Sequence, residues 1–351
     1  MTKRIIIMAG GTGGHVFPAL AVAQALAEKD WQVSWLGTQK GLESRVIPEN
    51  GIAIDWLSVA GVRGKGLLSK VMAILMLLKA CLQAAVILRK RKPDVVLGMG
   101  GFVAGPGGLM AKILGIPLVI HEQNRVPGTT NRLLARIANR VLEAFPDSFE
   151  KNAGAECTGN PLRKPFLQLQ DKPGKAEIEP LNILIVGGSQ GAKALNESVP
   201  DAIAEIGRIK VKHQTGLAMR DQVAERYTAL GVDAEVSDFI SDMVAAYQWA
   251  DLIICRAGAM TISEVAAVGV PGIFIPLPGA IDDHQTANAK YLTDAGAGRL
   301  LMQKDLNKAT LVLAIKEVRE KLDVMRQAAK QSARLDATEV VAGYCIAEAK
   351  V

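Results

Sequence analysis

The sequence predicts an α/β protein built from two Rossmann-like domains whose parallel sheets face a cleft, and three observations lead there. Ile5-Ile6-Ile7-Met8-Ala9-Gly10-Gly11-Thr12-Gly13-Gly14 near the start is echoed by Ile183-Leu184-Ile185-Val186-Gly187-Gly188-Ser189-Gln190-Gly191 past the middle. Each reads as a buried parallel strand, a glycine turn and a helix. Further on, Asp94-Val95-Val96-Leu97, a glycine-rich loop, a helix, Gly115-Ile116-Pro117 and Leu118-Val119-Ile120 find their counterpart in Asp251-Leu252-Ile253-Ile254, a turn, a helix, Gly269-Val270-Pro271 and Ile273-Phe274-Ile275. Parallel strands need helical crossovers, so this repeated order implies two similar α/β units. Finally, 351 residues of which 49% are hydrophobic suit two cores of ordinary size rather than one.

From the start of the chain, strand Ile5–Met8 runs into Gly10-Gly11-Thr12-Gly13-Gly14-His15. Glycines at a strand-to-helix turn let the backbone approach an anion and leave helix N–H groups free to hold it. The dinucleotide fingerprint is absent, because the third glycine is missing and Val33-Ser34-Trp35-Leu36-Gly37-Thr38 ends without an acidic residue. NAD and FAD chemistry is therefore disfavoured. His15 sits at the carboxyl end of the strand, where open sheets bind ligands. An imidazole there can act as general base or hold the loop by hydrogen bonds.

The stretch from Leu67 to Lys92 is the most apolar in the chain, yet Lys70, Lys79 and Gln83 interrupt it and argue against a membrane span. On a helical wheel Ile74, Leu77, Leu78, Cys81, Ala85 and Leu88 form the face expected to dock on the sheet. Lys79, Gln83 and Lys90 lie opposite, with Met72, Met76 and Ile87 near them. With Arg89, Lys90, Arg91 and Lys92 at its end, this helix reads either as a covered domain helix or as one resting on an anionic bilayer. Beyond it, His121-Glu122-Gln123-Asn124 follows strand Leu118–Ile120. A helical stretch near residues 131–138 and strand Arg140–Leu142 complete the first half.

Cys157-Thr158-Gly159-Asn160-Pro161-Leu162-Arg163-Lys164-Pro165 breaks the pattern and sets a domain boundary near residue 160. In the second half, Cys255-Arg256-Ala257-Gly258-Ala259-Met260-Thr261-Ile262-Ser263-Glu264 enters a helix whose N–H groups suit a diphosphate. Glu264 there can accept both hydroxyls of a ribose, or Thr261 and Glu264 can form a capping box that needs no ligand. Asp282-Asp283-His284-Gln285 follows strand Ile273–Ile275 as a polar loop at a helix start, with Gln285 free to meet sugar hydroxyls. A long helical region begins at Lys308, and a last helix is expected near residues 338–349.

A net charge of +6 favours anionic partners. Nucleic acid is the weaker candidate, since aromatics make up only 4% of the chain and no basic stretch interleaves them. Cys81, Cys157, Cys255 and Cys345 are scattered, show no metal or disulfide spacing, and read as ordinary buried residues. The Lys3-Arg4 start precedes too short an apolar run for a signal peptide, so a cytoplasmic protein is expected.

Together these motifs resemble the MurG family of N-acetylglucosaminyltransferases of bacterial peptidoglycan synthesis. The resemblance rests on the Gly10–His15 turn with Pro18-Ala19-Leu20-Ala21, Arg63-Gly64-Lys65-Gly66, the segment from Pro93 to Gly108, His121-Glu122-Gln123-Asn124, Gly159-Asn160-Pro161-Leu162-Arg163, the Gly187–Ala192 turn and Arg256-Ala257-Gly258-Ala259. It implies a GT-B fold, with residues 1–160 handling the acceptor and the membrane, 161–337 binding UDP-GlcNAc, and a helix at 338–351 packing back on the first domain. It also implies an inverting reaction, free of metal and cofactor, that joins GlcNAc to the muramic acid C4 hydroxyl of the undecaprenyl-linked acceptor, lipid I, to form lipid II. The implied location is the inner face of the cell membrane, reached through residues 67–92, with proteins of cell-wall assembly as further partners.

Carried over by position, the resemblance implies that Thr12, Gly13, Gly14 and Asn124 reach the donor and that Arg163 meets it at the hinge. Ser189 would contact the diphosphate, together with the helix start at Ala259, Met260, Thr261, Ile262 and Ser263. Glu264 would hold the ribose, Ile240 would offer its backbone to uracil, and Gln285 would bind the GlcNAc hydroxyls. His15 is the implied base and Glu122 its substitute. Met260 stands where the family usually has leucine, and Ile281-Asp282-Asp283-His284 precedes Gln285 where relatives vary. A related GT-B protein using another acceptor, a UDP-GlcNAc 2-epimerase and a non-catalytic nucleotide-sugar scaffold are the competing readings.

Overall fold

The computed structural model describes residues 2–59, 67–169, 180–188 and 191–350, and among these the chain forms two compact units. One comprises Met1–Arg163 with Arg334–Val351, the other Lys164–Ala333.

The first unit runs β1 (Arg4–Met8), α1 (Gly13–Ala27), β2 (Gln32–Gly37), α2 (Glu43–Glu49), β3 (Ala53–Trp56), α3 (Leu67–Arg91), β4 (Val95–Gly98), α4 (Ala104–Ile113), β5 (Leu118–Glu122), α5 (Thr129–Leu134), β6 (Arg140–Glu143) and β7 (Glu156–Cys157). Its strands form one parallel sheet in the order β3-β2-β1-β4-β5-β6-β7. Near-continuous burial of Ile5 to Ala9 and of Val95 to Leu97 is what a sheet covered on both faces requires. The glycines of α4 serve close packing: a Cβ at Gly107 would lie 2.3 Å from Met8 Sδ and 3.0 Å from Leu36 Cδ2, so any larger residue would displace side chains of β1 and β2.

The second unit runs α6 (Lys164–Leu167), β8 (Leu181–Val186), α7 (Lys193–Ile206), β9 (Ile209–Gln214), α8 (Arg220–Ala229), β10 (Ala234–Ser237), α9 (Met243–Trp249), β11 (Leu252–Cys255), α10 (Ala259–Val268), β12 (Gly272–Phe274), α11 (His284–Asp294), β13 (Gly298–Leu300), α12 (Lys308–Glu320) and α13 (Leu322–Gln331). Its parallel sheet has the order β10-β9-β8-β11-β12-β13. The two orders share one logic: the strand sequence reverses direction beside the first strand, between β1 and β4 and between β8 and β11. That reversal opens a crevice at the strand carboxyl ends.

The last helix, α14 (Ala337–Glu348), belongs to the first unit. Val341, Ala342 and Cys345 enter the core beside α1, and Arg140 Nε pairs with Glu348 Oε1 at 2.7 Å.

Two expectations need correction. The docking face of α3 matches the one drawn from the wheel only toward its C-terminal end, at Ala85 and Leu88. Ala80, Ala84, Ala85 and Leu88 are buried, whereas Ile74, Leu77 and Leu78 are 58%, 48% and 56% exposed. The helix docks through small residues in its C-terminal half, which lets it approach the sheet closely and turns its larger apolar side chains outward. Residues Met72–Arg91 are long and apolar enough to cross a membrane by length and composition, with mean hydropathy 1.9. Their C-terminal half is nevertheless the crossover between β3 and β4. The cysteines also divide: Cys255 and Cys345 are buried, Cys81 and Cys157 only half-buried.

Candidate functional site

Each unit carries its own cluster of chemistry-bearing residues at the reversal of its sheet order. In the first unit, β1 ends at Met8, and the turn that follows is held from below by Glu43. That carboxylate is fully buried and accepts from Gly11 N (2.9 Å), Thr38 N (2.9 Å) and Thr38 Oγ1 (2.7 Å). Thr12 then caps α1 with extended backbone and no side-chain cap bond, so Gly13, Gly14 and His15 form its first turn. Nothing in the sequence marks Glu43, because no motif joins it to Thr38 and the Gly11 amide is brought to it only by folding.

His15 faces two neighbours. Its Nδ1 lies 2.5 Å from Gln123 Oε1, and Gly100, at φ +94°, lies against its ring edge. A Cβ there would sit 3.0 Å from His15 Cε1 and 3.1 Å from Nδ1, so the glycine-rich loop after β4 leaves room for the imidazole. Gln123 is in turn clamped by His121. Its Nε2 donates to His121 Nδ1 (3.0 Å) and to the His121 carbonyl (2.9 Å), and His121 Nε2 lies 2.9 Å from the Gly159 carbonyl. His121 is fully buried, and desolvation lowers its pKa to about 4, so it is neutral at pH 7.

Glu122 has a different neighbourhood. Its buried carboxylate accepts from Asn124 N and Nδ2 through Oε1 and from Gly128 N and Asn131 Nδ2 through Oε2. Those four donors make it the brace of the loop after β5 and fix Asn124 within it. Arg163, at the end of the unit, stacks its guanidinium 5.5 Å from the Phe17 ring centroid.

In the second unit, an open cavity of about 580 Å³ lies at the ends of β8 and β11. Gly187, Gly188, Gly191, Arg256, Gly258, Thr261 and Gln285 line it, together with Gln303. Arg256 sends Nη1 to the carbonyls of Ile275 (3.0 Å) and Pro276 (3.1 Å) and Nη2 to Gln303 Oε1 (2.6 Å). Burial lowers this guanidinium below its ordinary value, yet arginine stays charged in proteins. Beside it α10 begins at Ala259 with Gly258 as its N-cap, which contributes no side chain. The amides of Ala259, Met260 and Thr261 are thus the unpaired ones of the first turn. A cation and the positive end of a helix share one cavity, which suits a diphosphate. Gln285 accepts from Leu277 N at 2.9 Å, which fixes its side chain in the lining.

The capping-box reading of Thr261 and Glu264 is overturned. With the N-cap at Gly258, Thr261 is already the third helical residue and Glu264 lies a turn further in, where Tyr247 Oη donates to its Oε2 at 3.2 Å. Ile262 contributes packing, since its side chain is fully buried and its amide closes on the Gly258 carbonyl at 3.0 Å. Ser263 follows within the same helix. Ile240 lies in the loop after β10 and outside the cavity lining. Ser189 and the Arg63–Gly66 motif fall outside the described residues. Gln303 was missed because it lies far along the chain from Arg256, in a segment without a motif. Among the described residues no group of three or more His, Cys, Asp or Glu gathers as a metal site.

Comparison with known proteins places these clusters in context. Residues 5–143 match the glycosyltransferase family 28 N-terminal domain and residues 182–342 its C-terminal domain. A Methylococcus capsulatus protein named UDP-N-acetylglucosamine-N-acetylmuramyl-(pentapeptide) pyrophosphoryl-undecaprenol N-acetylglucosamine transferase is 57% identical, with 99% of each chain covered. The crystal structure of Acinetobacter baumannii MurG matches with a TM-score of 0.85 at 42% identity, covering 98% of this chain and 99% of that one. The Neisseria meningitidis UDP-GlcNAc 2-epimerase, at 14% identity and a TM-score of 0.66, shares the fold alone.

Proposed function

The chain belongs to glycosyltransferase family 28, with two parallel-sheet α/β domains of GT-B type, and from that premise we propose how it works. It transfers N-acetylglucosamine from UDP-GlcNAc to the undecaprenyl-diphosphoryl-N-acetylmuramyl-pentapeptide acceptor, the step that forms lipid II in peptidoglycan synthesis. The observation that carries this reading is the likeness to named transferases along essentially the whole chain. The epimerase alternative rests on fold alone.

In the proposed mechanism the second unit holds the donor. The amides of Ala259, Met260 and Thr261, the turn from Gly187 to Gly191 with Ser189, and the charge of Arg256 stabilise negative charge that grows on the diphosphate as the sugar C1–oxygen bond breaks. Fixed N–H donors do this without reorganisation. Glu264 takes the ribose, Ile240 the uracil and Gln285 the sugar hydroxyls. The first unit serves the acceptor, with Thr12, Gly13, Gly14, Asn124 and Arg163 completing donor recognition. The acceptor C4 oxygen forms the new bond to C1 with inversion, and its proton passes to the His15 imidazole. We assign the base to His15 rather than Glu122 because the Glu122 carboxylate is occupied by four donors.

The proposal extends to a peripheral seat on an anionic membrane. Leu82 on α3, Phe102 in the loop before α4, Ile113 on α4 and Leu133 on α5 are 70%, 59%, 64% and 57% exposed. Exposed Arg89, Lys90, Lys112 and Arg136 accompany them, and Met76, Leu77, Phe102, Leu109 and Leu133 help line an apolar cavity of about 550 Å³. Apolar residues with basic neighbours fit an interface of acyl chains and head groups.

Transfer of radiolabelled GlcNAc from UDP-GlcNAc to a short-chain lipid I analogue, with EDTA present and UDP-glucose competing, tests the function. Chelator-resistant product with preference for GlcNAc is expected. UDP-GlcNAc binding without product would return the protein to another acceptor, or to the epimerase or scaffold reading.

A further inference from the structure

The base assignment leaves open which imidazole nitrogen carries the hydrogen, and the interior of the first unit answers it. The chain of contacts starts from a backbone carbonyl, whose chemistry is fixed. The Gly159 oxygen, 2.9 Å from His121 Nε2, can only accept, so His121 carries its hydrogen on Nε2 and presents a lone pair at Nδ1. Desolvation keeps this ring neutral at pH 7, so Nδ1 is not a second donor. Among the described residues the charged side chain that acts on it is neighbouring Glu122, which is itself held by four donors.

Two acceptors then face the Gln123 amide: His121 Nδ1 at 3.0 Å and the His121 carbonyl at 2.9 Å. Each requires a donor, and together they consume both hydrogens of the Gln123 NH₂. The Gln123 oxygen is therefore the atom turned to His15 Nδ1, 2.5 Å away. An amide oxygen can only accept, so Nδ1 of His15 bears the hydrogen. In the neutral imidazole Nε2 must then carry the lone pair, and among the described residues no protein group hydrogen-bonds to it.

We propose that Gln123 is a positioning residue: clamped by His121, it holds His15 in the Nδ1–H tautomer, so that Nε2 is the nitrogen that removes the proton from the acceptor hydroxyl. This rests on the reading of His15 as the base. Gln123 touches no substrate in this account. Its effect is to exclude the wrong tautomer, which would present an N–H where a lone pair is required. A histidine base oriented by a carboxylate follows the same logic with a charged partner. Here a neutral amide takes that place, and a second, buried histidine fixes the amide.

The protein has four histidines, so two-bond ¹H–¹⁵N correlation spectra of ¹⁵N-histidine-labelled protein, assigned with His15→Ala and His121→Ala, read each tautomer directly. The wild type is expected to show His15 as Nδ1–H and His121 as Nε2–H. In Gln123→Leu, His15 should shift toward Nε2–H. There kcat should fall about 10- to 100-fold, a part of the roughly 10²–10⁴ that general base catalysis supplies in full, while KM for UDP-GlcNAc stays within about twofold. Gln123→Glu keeps an acceptor against His15 Nδ1 and should retain its Nδ1–H tautomer, but its second oxygen faces the two His121 acceptors that the amide satisfied, so only part of the rate should return.

An Nε2–H signal for His15 in the wild type would overturn the proposal without any variant having to fold. So would Gln123→Leu with unchanged tautomer and kcat. If instead the wild type shows Nδ1–H but His15→Ala turns over normally, the base reading is what fails.

Discussion

Replacing Gly100 with alanine tests whether the rate depends on where the His15 ring sits. The backbone there has φ +94°, a region that costs an L-residue roughly 1–2 kcal/mol. The added Cβ would lie 3.0 Å from His15 Cε1 and 3.1 Å from Nδ1, closer than carbon contacts of about 3.5–4.0 Å allow. Since the φ strain is local, the easiest relief is for the imidazole to move by several tenths of an ångström and disturb the 2.5 Å contact to Gln123. Misplacing a catalytic group by about 1 Å can cost about 100-fold, so a smaller shift should cost about 10-fold in kcat. At about 2–4 °C per kcal/mol for a domain of this size, Tm should fall by roughly 2–8 °C. UDP-GlcNAc affinity, followed by calorimetry, should not change, because the atoms nearest the new Cβ belong to His15 and to none of the residues proposed to meet the donor. Unchanged kcat in a variant with the expected Tm loss would refute the claim that ring position sets the rate. A tenfold loss of donor affinity would refute the division of labour.

Three further outcomes follow from the same contacts. Arg256→Lys removes the fork that joins Ile275, Pro276 and Gln303, so UDP-GlcNAc binding by calorimetry should weaken about tenfold even though charge is conserved. Glu43→Ala leaves the Gly11 and Thr38 amides without their buried acceptor and should cost on the order of 2–6 kcal/mol in urea unfolding at about 1–3 kcal/mol for each unsatisfied group. Buried His121 and His213 have pKa values lowered by desolvation from 6.5 to about 4 and about 3. The unfolded chain therefore binds more protons between the unfolded and folded values, and stability is lost as pH falls below 6.5. Over that window His121 alone is worth on the order of 3 kcal/mol at about 1.4 kcal/mol per pH unit, so Tm should be flat from pH 7 to 8 and drop steadily below 6.

The two sheets were legible because buried parallel strands are continuous apolar runs, and Ile5–Met8 and Ile183–Val186 carry that signal with a glycine turn directly behind each. The start of α10 was legible for the same local reason, since Gly258 and Ala259 mark it. The tertiary partners were not. Glu43, Gly100, Gln123 and Gln303 act on groups from other strand ends, and no spacing along the chain encodes those meetings. Gln123 stood within a quoted motif, yet its role depends on Gly159, in a different loop. The docking face of α3 was misread because a wheel ranks residues by apolarity, while this helix packs through Ala80 and Ala84, whose small size matters more.

The most direct test of the central claim is a single-turnover comparison of wild type and His15→Ala, each preloaded with saturating labelled UDP-GlcNAc and mixed with the lipid I analogue. The account predicts that both bind the donor with similar affinity and that transfer in the variant is slower by about 10²–10⁴, the contribution of a general base. Equal transfer rates from equally loaded enzyme would contradict it.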